Sequence, residues 1–192
     1  YQDYATYFVK WVQAFNAEGI DIYAVTPQNE PLNRGNSASL YMSWEEQRDF
    51  VKTALGPKFK AAGLATKIYA YDHNYDYSDI ATEKNYPGKM YEDAAASQYL
   101  AGAAYHNYGG NREELLNIHK AYPEKELLFT ETSIGTWNSG RDLSKRLLED
   151  MKEVALGTIN NWCRGVIVWN LMLDNDRAPT VSYTHLTLPT IA

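Results

Sequence analysis

Two stretches of the chain decide its predicted fold: Val25–Pro31, which reads VTPQNEP, and Leu127–Ser133, which reads LLFTETS. In each of them an apolar segment of strand type leads to a carboxylate, Glu30 in the first and Glu131 in the second. The carboxyl ends of parallel strands open onto one edge of a sheet, where ligands bind. We therefore expect the two carboxylates to face a common space, although they are far apart in sequence.

Short, continuously apolar strands alternate with amphipathic helix patterns along the chain, and this indicates parallel strands buried on both faces. Every predicted strand ends in polar or reactive residues, which is typical of a (β/α)8 TIM barrel. A doubly wound sheet would concentrate its chemistry at one switch point. Only five strands fit in this sequence, whereas a complete barrel has eight, so we predict part of a barrel. They are Ile20–Thr26, Lys67–Tyr71, Ala101–Tyr105, Leu127–Thr130 and Gly165–Asn170.

Helices are predicted between these strands. Ser43 and Glu46 form the pattern of a capping box, and Gly56-Pro57 predicts a break in the helix that follows. Pro87 predicts a loop before the next helix. The remaining helices are expected to end at Gly19 and before Pro123, and to cover Tyr91–Gln98 and Leu143–Ile159.

Composition excludes several classes of protein. The 192 residues are 45% apolar and 22% charged, as in an ordinary soluble globular domain. The net charge of −6, with no basic cluster beyond a dipeptide, argues against nucleic acid as a partner. No apolar run is long enough for stable membrane insertion. The single Cys163 excludes an internal disulfide framework and a cysteine-based zinc site.

The domain is predicted to cover residues 1–180. The last residues, 181–192 (VSYTHLTLPTIA), carry no acidic or basic side chain other than histidine and contain no helix cap. They resemble translated sequencing-adapter tails from metagenome assemblies, so we expect this segment to be non-native.

The surroundings of Glu30 favour catalysis over the ordinary role of a solvated loop residue. Pro27 and Pro31 stiffen its loop. Asn29 places an amide beside the carboxylate, where it could hold a sugar 2-hydroxyl. Hydrolysis of a glycosidic bond needs two opposed carboxyl groups, and Glu131 is the second candidate.

Four strings together resemble glycoside hydrolase family 30, which holds glucosylceramidases and endo-β-1,6-glucanases. They are Val25–Pro31, Tyr105–Tyr108 (YHNY), Phe129–Ser133 (FTETS) and Val168–Asp174 (VWNLMLD). The resemblance implies a TIM barrel with an acid/base after strand four and a nucleophile after strand seven. The two glutamates here also lie three strands apart, so the chain would cover about strands 4–8.

Residue by residue, the resemblance implies that Glu30 is the acid/base and Glu131 the nucleophile of a retaining enzyme. It also implies that Asn29 binds the 2-hydroxyl, that His106 and Tyr108 line the subsite at the nucleophile, and that Trp169 stacks on the sugar. Asn107 stands where glucosylceramidases often carry Trp, which leaves the aglycone preference open. From the residues themselves, Asp72, His73 and Trp137 are candidate walls of the substrate site.

The mechanism sets expectations for the two carboxyl groups. The pKa of Glu30 should be raised by burial and by the charge of Glu131, and Glu131 should stay ionised. Their separation should be roughly 5–5.5 Å. No metal or cofactor is expected, because His73 has no second histidine at ligand spacing.

Several alternatives stay open. The substrate is a β-glucoside, either a glucan or a glycolipid, and the chain could instead be an inactive fragment or a sugar-binding relative. The many Tyr and Trp side chains suit either sugar stacking or helix–sheet packing. We expect a secreted, periplasmic or cell-surface protein of a bacterium, and the sequence gives no indication of oligomeric state.

Overall fold

The computed structural model describes residues 1–35, 40–77, 79–133 and 142–169. Within these ranges no helix is long and apolar enough to cross a membrane. The strands are Ala24–Val25 (β1), Lys67–Asn74 (β2), Leu100–His106 (β3), Glu126–Glu131 (β4) and Cys163–Val166 (β5). The helices are Gln2–Ala17 (α1), Trp44–Phe50 (α2), Gly56–Ala61 (α3), Tyr86–Glu92 (α4), Ala94–Ser97 (α5), Glu113–Ala121 (α6), Leu143–Glu149 (α7) and Leu156–Ile159 (α8), with a 3₁₀ turn at Ala81–Glu83 and π-helical segments at Val51–Leu55 and Asp150–Ala155.

The strands form one parallel sheet in the order β1-β2-β3-β4-β5. Neighbours in sequence are therefore neighbours in space, and helices lie in each connection. A barrel has this order, whereas a doubly wound sheet reverses direction at a switch point. The described strands form a half-barrel, which confirms the predicted partial (β/α)8 TIM barrel.

All five strands differ from their predicted bounds, and β1 and β5 differ most. The predicted strand Ile20–Thr26 is wrong in length, because only the two residues of β1 pair with β2. Ile20 is 51% exposed, so the apolar character of this segment does not reflect burial in the sheet. The last strand begins and ends earlier than the predicted Gly165–Asn170, and Asn170 lies outside the described residues.

The predicted break at Gly56-Pro57 is wrong, because α2 continues through the π-helical segment Val51–Leu55 into α3. The amide of Gly56 bonds to the carbonyl oxygen of Val51, five residues earlier. Such a wide turn makes room for Pro57, whose ring would otherwise crowd the preceding turn. Pro87 also opens a helix, α4, instead of lying in a loop, since a missing N–H costs nothing in a first turn.

Aromatic side chains form much of the core between sheet and helices. The ring centroid of Tyr71 on β2 lies 5.1 Å from that of Tyr86 on α4 and 5.6 Å from that of Tyr105 on β3. All three are buried. The aromatic stripe of α1 packs in the same way, with Tyr4 stacked on Phe50. These residues follow the packing alternative and not the sugar-stacking one.

Candidate active site

Side chains from four successive strands meet at the carboxyl edge of the sheet. Glu30 follows β1, Asp72 lies in β2, His106 ends β3 and Glu131 ends β4. The imidazole is central. Its Nδ1 lies 3.4 Å from Glu30 Oε1, and its Nε2 lies 3.0 Å from Asp72 Oδ1 and 4.0 Å from Glu131 Oε2. The two predicted carboxylates therefore do come together, around a histidine.

A β-bulge in β2 delivers Asp72 to this cluster. Tyr71 and Asp72 have φ of 76° and 62°, in the left-handed region that non-glycine residues rarely adopt. The register with β3 shifts at this point, so that Tyr71 pairs with Ala104 while His73 pairs with Tyr105. Asp72 is the extra, unpaired residue. Such backbone costs on the order of 1–3 kcal/mol per residue and is concentrated at functional sites.

The carboxylate of Asp72 accepts three side-chain hydrogen bonds. Thr26 Oγ1 donates to Oδ2 at 2.6 Å, Thr130 Oγ1 donates to Oδ1 at 2.6 Å, and His106 Nε2 lies 3.0 Å from Oδ1. Burial raises the pKa of Asp72, but these bonds and the charge of His106 outweigh burial and hold the pKa below its ordinary value. Asp72 is therefore an anion with its acceptors already occupied.

His106 is 1% exposed and lies between carboxylates. Burial lowers its pKa, but the bonds to Asp72 and Glu30, with the charges of Asp72 and Glu131, raise the pKa to about 9. At neutral pH the ring is an imidazolium, with one N–H directed at Asp72 and the other at Glu30.

Glu30 shows the opposite pKa direction from the one expected. The hydrogen bond with His106 lowers its pKa more than burial raises it, and Asn33 Nδ2 adds a bond to Oε2 at 2.8 Å. The expectation counted the negative charge of Glu131 and omitted the imidazolium. Glu30 also adopts a φ of 46° and its amide donates to the carbonyl oxygen of Asp72 at 2.9 Å, so the bulge fixes its backbone.

Glu131 accepts a hydrogen bond from Tyr108 Oη at 3.1 Å, and Ser133 Oγ competes for the same hydroxyl at 3.1 Å. Burial raises the pKa of Glu131 despite the opposing effects of His106 and Tyr108. The expected order of the two carboxyl groups is thus reversed, because Glu131 holds a proton more readily than Glu30.

Glu30, His106 and Glu131 each offer one ligand atom, and these atoms lie within 4.8 Å of one another. A metal ion would need the lone pair of a neutral imidazole nitrogen. Both nitrogens of His106 face carboxylate oxygens, and the raised pKa keeps the ring protonated. The donor set favours a proton-carrying imidazole over a metal ligand.

Two further predicted residues lie beside the cluster. Asn29 is half-buried and directly precedes Glu30. His73 is buried, its Nδ1 accepts from the amide of Asn74 at 2.8 Å, and its ring packs on Tyr77 with centroids 4.6 Å apart. Its Nε2 is buried without a hydrogen-bond partner among the described residues. Burial lowers the pKa of His73 to about 4, so this histidine is neutral.

The structure describes two of the three aromatic candidates. Trp169 follows β5, is 61% exposed, and its amide donates to the carbonyl oxygen of Thr132 at 2.9 Å. This bond ties the Trp169 backbone to the residue after Glu131. Tyr108 is also exposed while it contacts Glu131. Trp137 lies outside the described residues.

Sequence reasoning missed three residues that hold the charged groups: Thr26, Thr130 and Asn33. Both threonines lie inside the two stretches that predicted the fold, Thr26 four residues before Glu30 and Thr130 directly before Glu131. A hydroxyl at the carboxyl end of an otherwise apolar strand was the available signal. Asn33 gives no signal of this kind, because it approaches Glu30 only through the turn that begins there.

Comparison with known proteins agrees with this geometry. The model of the glycosyl hydrolase family 30 TIM-barrel domain matches residues 1–192. Endo-1,6-beta-D-glucanase BGN16.3 of Trichoderma harzianum is 36% identical over 93% of this chain, and the endo-1,6-beta-D-glucanase of Neurospora crassa is 34% identical over 96%. The chain spans 34% and 35% of those relatives.

Solved structures give the same result. The endo-beta1,6-glucanase BT3312 superposes with a TM-score of 0.90 and is 88% identical, covering 94% of this chain and 40% of that protein. Putative glucosylceramidase 4 of Caenorhabditis elegans is more distant in sequence, at 27% identity over 95% of this chain. With the family model matched along its length, the chain belongs to glycosyl hydrolase family 30.

Proposed function

We propose that this chain supplies the catalytic centre of a retaining β-glycoside hydrolase that cleaves β-1,6-linked glucan. The observation that carries the proposal is the approach of two carboxylate oxygens, one from Glu30 and one from Glu131, to within 4.8 Å. Retaining enzymes hold their carboxyl groups roughly 5–5.5 Å apart, whereas inverting enzymes need roughly 6.5–9.5 Å to admit a water.

In the first step, the Glu131 carboxylate attacks the anomeric carbon while Glu30 donates a proton to the departing glycosidic oxygen. A glycosyl ester forms as the glycosidic bond breaks. In the second step, Glu30 accepts a proton from a water molecule, which attacks the same carbon and releases Glu131. Tyr108 supports the nucleophile by donating its hydroxyl proton to one carboxylate oxygen.

The proton state of Glu30 has to change between the steps. Its lowered pKa suits the base role in the second step. Before the first step, substrate that displaces water from the site raises the pKa and promotes protonation. His106 contacts Glu30 and is the adjacent group that carries a proton.

The sugar contacts follow the positions of the remaining side chains. Asn29, beside the acid/base, is assigned to the 2-hydroxyl. The exposed indole of Trp169, tethered next to Glu131 through Thr132, is assigned to stacking on the sugar face. Trp137 is kept as a candidate wall.

The choice of β-1,6-glucan rests on the relatives. Three relatives named endo-1,6-beta-D-glucanases are 30–36% identical to this chain, and five named glucosylceramidases are 24–28% identical. The glucanase structure is 88% identical. A polymer of this kind does not cross a membrane, which supports a secreted, periplasmic or cell-surface location.

The test uses a complete domain, made by placing residues 1–180 of this chain into the matching segment of the glucanase BT3312. The first product formed from β-1,6-glucan is expected to be the β-anomer, read by proton NMR. A 2-deoxy-2-fluoro β-gentiobiosyl fluoride is expected to label Glu131, read by peptide mass spectrometry. An α-anomer or a label on another residue overturns the proposal.

The 192-residue chain alone is expected to hydrolyse little. Within the described residues, β1 and β5 are sheet edges, and apolar side chains of the helical segment over residues 143–159 are exposed, among them Leu147 and Leu148. A closed barrel covers such edges. Robust hydrolysis by the purified chain would contradict this expectation.

A further inference from the structure

Asp72 was predicted to be a wall of the substrate site, but its carboxylate oxygens contact protein groups. Its side chain is 9% exposed, and three protein groups already donate to its two oxygens. Two of these donors, Thr26 and Thr130, come from the strand ends on either side of β2 and β3. The carboxylate is built into the protein as an acceptor for His106.

We propose that Asp72 is a positioning residue that fixes the His106 ring with one N–H directed at Glu30. This inference rests on the proposed function, because it assigns how the acid/base is held. Asp72 accepts at Nε2, which leaves Nδ1 facing Glu30 Oε1. A carboxylate that accepts a hydrogen bond at one ring nitrogen of a histidine fixes the orientation of the ring, and therefore the direction of the other nitrogen.

The backbone supports the same assignment. The bulge at Tyr71 and Asp72 is strained, and a regular β2 would keep neither residue at positive φ. The carbonyl oxygen of the same Asp72 also accepts from the Glu30 amide at 2.9 Å. One strained residue thus holds Glu30 twice, directly through its backbone and indirectly through its side chain and His106.

Two substrates distinguish a loss of proton donation by Glu30 from a general loss of active-site structure. Asp72→Asn keeps the size of the side chain but removes the charge that orients His106. A phenyl leaving group needs a proton from Glu30, whereas a 2,4-dinitrophenyl group does not. In the completed domain, we expect turnover of phenyl β-gentiobioside to fall about 10- to 100-fold and that of the dinitrophenyl analogue by under about threefold.

A double-mutant cycle tests whether Asp72 acts through the histidine. If it does, adding Asp72→Asn to His106→Gln changes phenyl β-gentiobioside turnover by under about twofold, because the mediator is already gone. Asp76→Asn is the matched control. It makes the same chemical change four residues further along, at an exposed position outside the cluster, and should leave both substrates unaffected.

A measurement without substitution keeps the test decisive if Asp72→Asn does not fold. Nitrogen-15 NMR of the histidines in the completed domain should show both His106 nitrogens protonated at pH 7. A neutral His106 whose Nε2 carries no proton overturns the inference, as do additive losses in the cycle or equal losses on both substrates. Failure of the proposed function is distinct, since the unsubstituted domain would then cleave neither gentiobioside.

Discussion

The two ends of the sheet carry ionic clusters of opposite character. At the amino end, Glu126 receives Lys67 Nζ at 2.8 Å, Arg164 Nη1 at 2.6 Å and the hydroxyl of Tyr69. Burial raises the pKa of Glu126, but these partners outweigh it and lower the pKa. One anion there is paired with two cations, so positive charge is in excess.

At the carboxyl end, the described residues place three carboxylates around one imidazolium. Glu30, Asp72 and Glu131 all approach His106. Burial raises the pKa of Glu131, and the charges of Glu30 and Asp72 add to this effect. A carboxylate that is paired with cations stabilises the fold, whereas several carboxyl groups with shifted pKa values are typical of a functional site. TIM barrels divide their ends in this way, with stability at the amino face and catalysis at the carboxyl face.

The largest expected difference between the two ends is the loss of activity when the same Glu→Gln substitution is made at each of them. In the completed domain, Glu131→Gln removes the proposed nucleophile, so we expect hydrolysis of β-1,6-glucan to fall by about 10³-fold or more. Glu126→Gln should retain activity within about threefold, because Glu126 touches no reacting atom. Initial rates measure both, and comparable losses would remove the functional distinction between the ends.

The next largest effect concerns how closely the strands pack at the amino end. A Cβ at Gly102 would overlap the carbonyl oxygen of Glu126 on β4. Gly102→Ala should therefore force the strands apart and lower the free energy of unfolding by about 3 kcal/mol. Gly165→Ala is the control, since its Cβ would lie 3.4 Å from Leu128, an ordinary contact. Urea unfolding of the completed domain measures both, and equal stability of the two variants would contradict the prediction.

The amino-end cluster was absent from the sequence prediction, and the reason is physical. The sequence predicts only that Lys67, Glu126 and Arg164 are solvated residues at the ends of apolar strands. The parallel register of β2, β3, β4 and β5 brings their side chains together. The alternation of strands and helices was predictable because burial of apolar faces depends on local periodicity. Contacts between charged ends depend on register, which the pattern does not specify.

The carboxyl-end site shows the same limit. Strand ends and motif resemblance predicted Glu30, Glu131, His106 and Tyr108 as site residues, and the structure brings these four together. They could not show the bulge at Asp72, because left-handed φ at a non-glycine residue is imposed by tertiary contacts. With the bulge missed, the imidazolium was missed too, and the pKa of Glu30 was predicted in the wrong direction.

A smaller effect separates the stabilities of the two clusters. Glu126→Gln should lower the free energy of unfolding by about 2 kcal/mol at neutral pH, because it removes charged hydrogen bonds to Lys67 and Arg164. Glu131→Gln should leave stability unchanged or raise it, since it relieves negative charge beside Glu30 and Asp72. Urea unfolding distinguishes them, and a larger loss for Glu131→Gln would reverse the roles assigned to the two ends.

The effect that is smallest per unit of pH comes from the two neighbouring histidines, whose ring centroids lie 6.5 Å apart. The folded pKa of His73, about 4, lies below its unfolded value of 6.5. Its contribution to stability is therefore present above pH 6.5 and lost as the pH falls towards 4, by about 1 kcal/mol per pH unit. For His106, with a folded pKa of about 9, the contribution is present below pH 6.5 and lost as the pH rises through 9.

His73→Asn separates the two contributions, because its amide oxygen can replace Nδ1 as the acceptor for Asn74 while the titration is removed. The acid-side slope of unfolding free energy against pH should flatten in this variant, and the slope between pH 7 and 9 should persist. An unchanged acid-side slope would show that His73 does not titrate as its burial requires. A flattened slope between pH 7 and 9 in this variant would mean that the titrations of His73 and His106 are coupled, and that the two contributions to stability cannot be separated.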